Sequence, residues 1–503
     1  MRQLSGLDAS FLYLETGSSF GHVNSLAVYE RPKGKKHADF SPYAACRAQI
    51  ESRLAMLEPF RRRIVEVPFG LDHPWWIMDP DFDLDFHLRH IAIPPPGDDE
   101  QLGDQIARII GRPMDRSRPL WEIYVLEGLS SGDFGVLTKL HHATIDGASG
   151  AQFASMLLDR EPGTTTPETV AVPDWRRDPL PSDVELLART AGQLAKRPVK
   201  LVRLQVRALR TLADITRNEG FNVMADIVSR PIPGPVGDGV RRILQGVGPD
   251  DPVDIDAPPP LPTGSAPPTP FNQSITPHRR FAFRSVPLAD IKKIKSTLGC
   301  TVNDVVMAVC AGALRRYLLD HDALPDKPLI AGIPVSIRTG DEDDPWTNRV
   351  SSIFAPLPTD LDDPLARIAA VNAAMTAAKE QFDLIPADLL VEASNMIPAG
   401  LATRAARLAT RFRLGDRVSL PINLIISNVP GPRESLYMGP ARLAHYYPVS
   451  TVVEGQGLNI TVQSYCDVLD FGLVACRELV PDLWDLLGYC VDEIDVLLAT
   501  EPA

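Results

Sequence analysis

Two adjacent histidines, His141 and His142, followed shortly by Asp146, are the residues of this chain best suited to chemistry. The ordinary pKa of an imidazole lies near neutrality, so a histidine can take a proton from a hydroxyl and return one to a leaving group. The pair follows an apolar stretch, residues 134–140, that predicts a buried strand, and it precedes residues 148–158, which predict a short buried helix. This arrangement favours a general base at a strand-to-helix junction.

The roles within this motif differ from residue to residue. Successive side chains of a strand point to opposite faces, so only one of His141 and His142 is expected to face a given cleft. Asp146 has three interpretations: it orients a histidine, caps the following helix, or pairs with an arginine. The structural roles are favoured because three residues separate it from His142 in a tight loop. Gly147 suits a backbone that approaches a substrate closely or takes a positive φ.

The chain lacks the usual signs of a covalent acyl-enzyme. No serine or cysteine of the motif stands in a nucleophile-elbow setting, so direct transfer promoted by a general base is the simpler mechanism. The six cysteines are scattered, without a C-x-x-C pair or zinc-ligand spacing, which predicts reduced thiols and no metal site. No cofactor is expected beyond the substrates.

Length and charge bound the class of protein. A chain of 503 residues is too long for one ordinary core, so two domains are expected. The net charge of -13 argues against a general nucleic-acid binder. The N-terminus has no signal-peptide pattern and no apolar run is long enough to cross a membrane. We therefore expect a cytoplasmic protein whose membrane contact, if any, is peripheral.

Strands and helices alternate in two blocks, which predicts an α/β or α+β layered fold. We expect one domain over residues 1–160, a proline-rich linker over 161–270, and a second domain over 271–503. The linker contains a basic amphipathic stretch, residues 183–217. Its two interpretations are a helix that lies on a membrane surface and a helix that packs across the two domains with solvated arginines.

Four further residues are candidates for substrate binding, each with a plainer alternative. Asn303 and Asp304 stand at the start of a long apolar helix, where helix capping is the alternative. Arg338 ends a strand and could bind a phosphate or pair with Asp146. Asn428 follows a strand, where a simple turn is the alternative.

Short motifs spread nearly end to end carry a resemblance to a known family. They are Leu4–Leu12, Pro119–Glu122, His141–Gly147, Asn272 with Arg279 and Arg280, Thr301–Asp304, Pro334–Arg338 and Ser427–Pro432. By these residues the chain resembles the bacterial wax ester synthase/diacylglycerol acyltransferases. This family lies within the CoA-dependent acyltransferases and peptide-synthetase condensation domains. The His-His-x-x-x-Asp-Gly motif alone marks only that wider group.

The resemblance implies a fold, an activity and roles for the motif residues. The fold would be two chloramphenicol-acetyltransferase-like domains with the active-site tunnel at their interface. Acyl-CoA and a diacylglycerol or long-chain alcohol would meet there, giving triacylglycerol or a wax ester. The family's base corresponds to His142, with His141 in support and Asp146 mainly structural. Contact with a membrane or lipid-droplet surface is expected, whereas the acceptor and the oligomeric state stay open.

Two other functions remain open at this point. One is acyl transfer from a carrier protein, as elsewhere in the superfamily, for which the sequence identifies no docking surface. The other is a catalytically silent lipid-binding protein on lipid droplets, which the basic residues 183–217 could serve. The intact motif favours chemistry over the silent alternative.

Overall fold

The computed structural model describes residues 1–144, 154–163, 178–192, 265–336, 350–383, 399–416 and 420–500. These residues form a mixed α/β structure with two six-stranded sheets and one three-stranded sheet. The strands are β1 (Arg2–Gln3), β2 (His22–Tyr29), β3 (Arg62–Val65), β4 (Trp75–Met78), β5 (Leu88–Ala92), β6 (Trp121–Glu127), β7 (Phe134–His141), β8 (Arg279–Pro287), β9 (Leu329–Ser336), β10 (Val350–Leu357), β11 (Leu424–Val429), β12 (Tyr437–Met438), β13 (Ala441–Val449), β14 (Leu458–Tyr465) and β15 (Val468–Cys476). The helices are α1 (Gly6–Tyr13), α2 (Pro42–Arg53), α3 (Leu84–His87), α4 (Asp99–Ile110), α5 (Leu288–Leu298), α6 (Val302–Asp320), α7 (Pro364–Asp383), α8 (Ala399–Arg411) and α9 (Leu483–Ala499).

The first large sheet, in the order β12-β13-β2-β7-β6-β5, carries the histidine pair at the end of β7. All eight residues of β7 are buried, because helices cover both faces of the sheet. Val136 packs on one side with Ile50 of α2, and Leu137 packs on the other with Ile106 of α4. Burial on both faces explains why this strand reads as a continuous apolar run rather than an alternating one.

The second large sheet has the order β10-β9-β11-β14-β15-β8, with β11 parallel to both of its neighbours. Helix α6 covers it and supplies much of the largest apolar core. The long apolar helix expected at Asn303 and Asp304 is confirmed as α6, and the residues before it form α5. The strand that Asn428 was expected to follow is β11, which begins at Leu424 and includes Asn428 itself. The Asn423 side chain, not a strand backbone, accepts the Ile330 amide at 2.8 Å.

Strand β13 belongs to the second block by sequence and to the first sheet by pairing. It runs antiparallel to β2, with Val449 opposite Asn24 and Tyr447 opposite Leu26. It also approaches β15 so closely that a Cβ on Gly472 would lie 1.8 Å from the Pro448 carbonyl oxygen. No sequence pattern indicates that a strand of the second block joins the sheet of the first. The domain boundaries expected at residues 160 and 270 stay a prediction.

Only the start of the basic stretch 183–217 lies within the described residues. Residues 183–192 are helical, Leu186 is buried against Val67 and Trp75, and the Arg189 guanidinium lies 5.5 Å from the Trp75 ring centroid. This part therefore contacts the first block, whereas residues 193–217 lie outside the described ranges, so the choice between packing across the two domains and contact with a membrane stays open. Across the described ranges, no single helix is long and apolar enough to span a membrane, although α5 and α6 pass that test jointly as a pair bent by 99°.

Candidate active site

His141 is held by the strand that carries it and by the loop before β6. Its backbone N–H donates to the Leu120 carbonyl at 3.0 Å. Leu120 is fully buried, and the neighbouring Trp121 donates its indole N–H to the Phe60 carbonyl at 2.9 Å. The Pro-Leu-Trp motif therefore supports the end of β7 through its backbone and its packing.

The His141 imidazole is buried and has protein groups at both nitrogens. The Ala143 backbone N–H donates to Nδ1 at 3.0 Å. Because an amide can only donate, Nδ1 is unprotonated and the proton of the neutral ring is on Nε2. Nε2 lies 3.1 Å from Glu15 Oε1, a close contact that is off-axis for a linear hydrogen bond. His141 is therefore enclosed within the protein.

His142 follows β7 in a turn and has different surroundings, as expected for neighbouring residues. Its backbone N–H donates to the Gly21 carbonyl at 2.7 Å. Its ring stacks on Phe11 of α1, with centroids 4.1 Å apart and planes 9° from parallel. The side chain is half-buried, whereas that of His141 is only 1% exposed. Of the pair, His142 is therefore the more exposed imidazole.

Glu15 brings a buried carboxylate to the histidine pair. Its Oε2 accepts from Arg116 Nη2 at 2.6 Å, and its Oε1 accepts from the Gly21 amide at 2.9 Å. Burial acts to raise the pKa of Glu15, but contacts with His141, His22 and Arg116 outweigh it and hold that pKa well below its usual range. The site therefore contains a permanent negative charge beneath the histidines.

His22 completes this cluster from the neighbouring strand. It pairs with His141 across β2 and β7, and its Nε2 lies 3.6 Å from Glu15 Oε1. Burial, with the nearby charge of Lys139, holds the pKa of His22 well below its usual value. His22 is therefore neutral at physiological pH. No sequence pattern identifies His22 or Glu15 as a residue of the site. The one available signal is that Glu15 is an acidic residue directly after the apolar residues 11–14.

Of the other predicted site residues, Asn303, Asp304 and Asn428 belong to α6 and β11, and the rest fall outside the described ranges. Asp146, Gly147 and Arg338 fall in residues 145–153 and 337–349, so their predicted roles, including the pairing of Arg338 with Asp146, stay predictions. Asn428 lies in β11 of the second sheet, opposite Val462 of β14. Its proposed contact with substrate also stays a prediction.

Asp304 has a structural role at the start of α6. This helix begins at Val302, with Thr301 as its N-cap. Asp304 accepts from the Thr301 amide at 2.9 Å, while its own amide donates to the Thr301 hydroxyl at 3.2 Å. Asn372 donates to the same carboxylate at 2.9 Å. This capping box fits the helix-cap interpretation, with Thr301 rather than Asn303 at the cap. Asn303 is half-buried beside it.

Two matched motif residues have structural contacts: Arg279 joins the two blocks, whereas Asn272 joins segments of the second block. Arg279 of β8 is buried and donates to the Ser18 carbonyl, next to the start of β2. Asn272 donates to the carbonyls of Asn423 and Gly455 at 2.7 and 2.9 Å. In the described part of the chain, no three His, Cys, Asp or Glu side chains converge as metal ligands do.

Comparisons with known proteins agree on one family. The model of the wax ester synthase/diacylglycerol acyltransferase catalytic domain matches residues 4–306, and the model of the WS/DGAT C-terminal domain matches residues 346–497. A putative diacylglycerol O-acyltransferase of Mycobacterium tuberculosis is 34% identical over 487 residues, covering 96% of this chain and 88% of that protein.

Solved structures support the same fold. The wax ester synthase/diacylglycerol acyltransferase from Marinobacter aquaeolei VT8 is similar, with a TM-score of 0.65 and 28% identity, over 99% of this chain and 98% of that one. The first condensation domain of the calcium-dependent antibiotic synthetase has a TM-score of 0.52 at 15% identity, over 100% of this chain and 98% of that one. The second likeness concerns the fold alone, and with the first it confirms the predicted layered α/β architecture.

Proposed function

Because the chain belongs to the wax ester synthase/diacylglycerol acyltransferase family, we propose that it is an acyl-CoA-dependent O-acyltransferase with His142 as general base. Its product is triacylglycerol when diacylglycerol is the acceptor, and a wax ester when the acceptor is a long-chain alcohol. Acyl-CoA is a co-substrate, and the reaction as proposed needs no cofactor.

The contrast between the two imidazoles carries the choice of base. The His141 ring is buried, its Nδ1 accepts from the Ala143 amide, and its Nε2 lies 3.1 Å from Glu15 Oε1. His142 is half-buried, so more of its ring surface is accessible than that of His141, and one ring face lies on Phe11, which orients the imidazole. A base must come within hydrogen-bond reach of the proton that it removes, and His142 meets that condition better.

The reaction balances without an acyl-enzyme. His142 takes the proton of the acceptor hydroxyl as its oxygen attacks the thioester carbonyl carbon. The tetrahedral intermediate then collapses, the C–S bond breaks, and the imidazolium returns the proton to the CoA sulfur. The carbonyl oxygen regains its double bond, and the histidine leaves the cycle neutral and ready for the next acceptor.

The substitution His142→Ala tests this proposal. We expect kcat for CoA release from palmitoyl-CoA and dioleoylglycerol to fall by about 10²–10⁴-fold, the usual contribution of a general base. His90→Ala is a matched control, because His90 also stacks on an aromatic ring, Tyr43, at 5.3 Å but lies on exposed β5. Circular dichroism and urea denaturation verify that both variants fold. Near-normal turnover by folded His142→Ala would show that His142 is not the base.

A panel of substrates separates the remaining alternatives. Product identification with dioleoylglycerol and with hexadecanol reports the acceptor, and palmitoyl-CoA against palmitoyl-carrier protein reports the donor. We expect turnover with the CoA donor and at least one of the two acceptors. Vesicle binding without turnover on any acceptor would favour a silent lipid-binding protein.

We also propose that the protein reaches its apolar substrates through peripheral contact with a lipid surface. Leu408 of α8 and Phe412 just after it are 48% and 54% exposed. Arg407 and Arg411 are exposed on the same short segment. Apolar side chains beside arginines suit the boundary between acyl chains and anionic headgroups.

A further inference from the structure

Glu15 is the residue on which contacts to the backbone of His142 converge. It directly follows Leu14, the C-cap of α1, and its side chain is only 11% exposed. One oxygen, Oε1, is approached by the Gly21 amide at 2.9 Å and by His141 Nε2 at 3.1 Å. Gly21 and His141 each connect Glu15 to the backbone next to the His142 Cα.

The first connection runs through Gly21, and the second through His141. The Gly21 amide donates to Glu15 Oε1, and the Gly21 carbonyl accepts from the His142 amide at 2.7 Å. His141 faces Oε1 with Nε2, while its Nδ1 accepts from the Ala143 amide at 3.0 Å. The amides of His142 and Ala143 belong to the two peptide planes that flank the His142 Cα. One carboxylate oxygen therefore restrains both planes.

The same short segment also restrains the His142 ring. Phe11 of α1 stacks on the imidazole, four residues before Glu15. Gly21 permits this close packing, because a Cβ there would lie 2.9 Å from the Phe11 carbonyl oxygen and 3.1 Å from the His141 ring. Ring and backbone of His142 are thus held from one element, the end of α1.

Arg116 fixes Glu15 in turn. Its guanidinium donates to Glu15 Oε2 at 2.6 Å and to the Leu12 carbonyl at 2.8 Å. It also lies 3.3 Å from Glu66, whose side chain is 65% exposed. With Oε2 occupied by Arg116, Oε1 is the oxygen that faces Gly21 and His141.

We propose that Glu15 is a positioning residue for the acyl transfer: through Gly21 and His141 it holds the backbone that presents His142. This inference rests on the proposed role of His142 as base. Glu15 acts here as a hydrogen-bond acceptor, and the length of its side chain sets the position of the accepting oxygen. A misplacement of a catalytic group by about 1 Å costs about 10²-fold in rate.

Two conservative variants distinguish the effect of the position of the Glu15 side-chain oxygen from the effect of its negative charge. Glu15→Gln keeps an acceptor oxygen toward Gly21 and His141, but it removes the charge and replaces the oxygen that accepts from Arg116 by an amide nitrogen, which can only donate. Glu15→Asp keeps the charge but withdraws the oxygens by one C–C bond, about 1.5 Å. We expect Gln to retain kcat within about fivefold and Asp to lower kcat by about 10²-fold, with KM for acyl-CoA unchanged in both. Glu66→Gln is the matched control, since it removes the other carboxylate beside Arg116 and should leave kcat at the wild-type value.

Every result bears on the proposal. Wild-type kcat in Glu15→Asp would overturn it, and so would equal losses in the Gln and Asp variants, which would point to the charge instead. A raised KM with unchanged kcat, or failure of both variants to fold by circular dichroism, would assign Glu15 to substrate binding or to fold stability. His142→Ala is assayed in the same series. If it retains turnover, the base assignment fails, whereas loss of turnover there with wild-type kcat in Glu15→Asp refutes only the positioning role.

Discussion

Gly103 decides how closely helix α4 of the first block lies against strand β8 of the second. A Cβ at this position would stand 2.5 Å from the Phe281 carbonyl oxygen and 3.2 Å from Trp484 Cζ2. Carbon-to-carbonyl contacts settle at about 3.3 Å or more, so Gly103→Ala must move α4 away from β8 by about 0.8 Å. Both obstacles lie in the second block, so the change acts on the contact between blocks.

The free energy of unfolding has two opposing contributions in this variant. Replacing glycine by alanine inside a helix stabilises by about 1 kcal/mol. Overpacking a close contact destabilises by about 1–3 kcal/mol. Gly488→Ala isolates the first contribution, because Gly488 lies inside α9 and a Cβ there would have no atom within 4 Å beyond its own stretch of helix. The difference between the two variants is then the overpacking cost alone, about 1–3 kcal/mol.

Urea denaturation followed by tryptophan fluorescence measures this difference directly. We expect the midpoint to rise for Gly488→Ala and to fall below that of the wild type, or at best match it, for Gly103→Ala. Equal midpoints in the two variants, or a higher one for Gly103→Ala, would refute the claim that α4 and β8 are in contact as closely as described.

Two further predictions concern acid stability and lipid binding. His87 is fully buried, its Nδ1–H donates to the Trp121 carbonyl at 2.7 Å, and burial lowers its pKa from 6.5 to about 4. Between these pH values the unfolded chain binds the extra proton, so stability is lost as pH falls from 6.5 to 4, by about 3 kcal/mol from this residue. His87→Phe should flatten that part of a pH series of urea midpoints, and parallel curves for variant and wild type would contradict the assignment. For the lipid surface, replacing Leu408 and Phe412 by glutamate should reduce co-sedimentation with anionic vesicles several-fold, while Val496→Glu, at a residue of α9 that is 43% exposed, should not. Equal vesicle binding by both variants would exclude the α8 segment as the contact.

Local sequence patterns were sufficient to predict the strand that carries the histidine pair. The run that became β7 is apolar because the strand is covered on both faces, and its end at His141 follows from the polar residues after it. Helix α5 ends at Leu298 because Gly299, at φ +66, takes the left-handed conformation that glycine tolerates. These signals depend on neighbouring residues of the chain, so a single sequence is enough to detect them.

Long-range pairing could not be predicted in the same way. Strand β13 contains Pro448 and His445 and has no clear alternation, and its partner β2 is far away, with Asn24 and Val449 separated by 425 residues. The role of Glu15 was hidden for a related reason. From the sequence alone, a carboxylate after a short helix is predicted to be a surface residue. Its contacts with His141 and Arg116 form only when the chain folds.

The position of β13 constrains the order in which this protein can be made. Strand β2 has β13 on one side and β7 on the other, so a nascent chain that ends before Ala441 leaves one edge of β2 unpaired. Synthesis proceeds from the N-terminus, and the histidine pair is therefore translated long before the sheet that carries it can be completed. Unpaired edges invite association with other chains. We expect that a fragment ending before β13 aggregates, and that the enzyme becomes active only after its last strands have emerged from the ribosome.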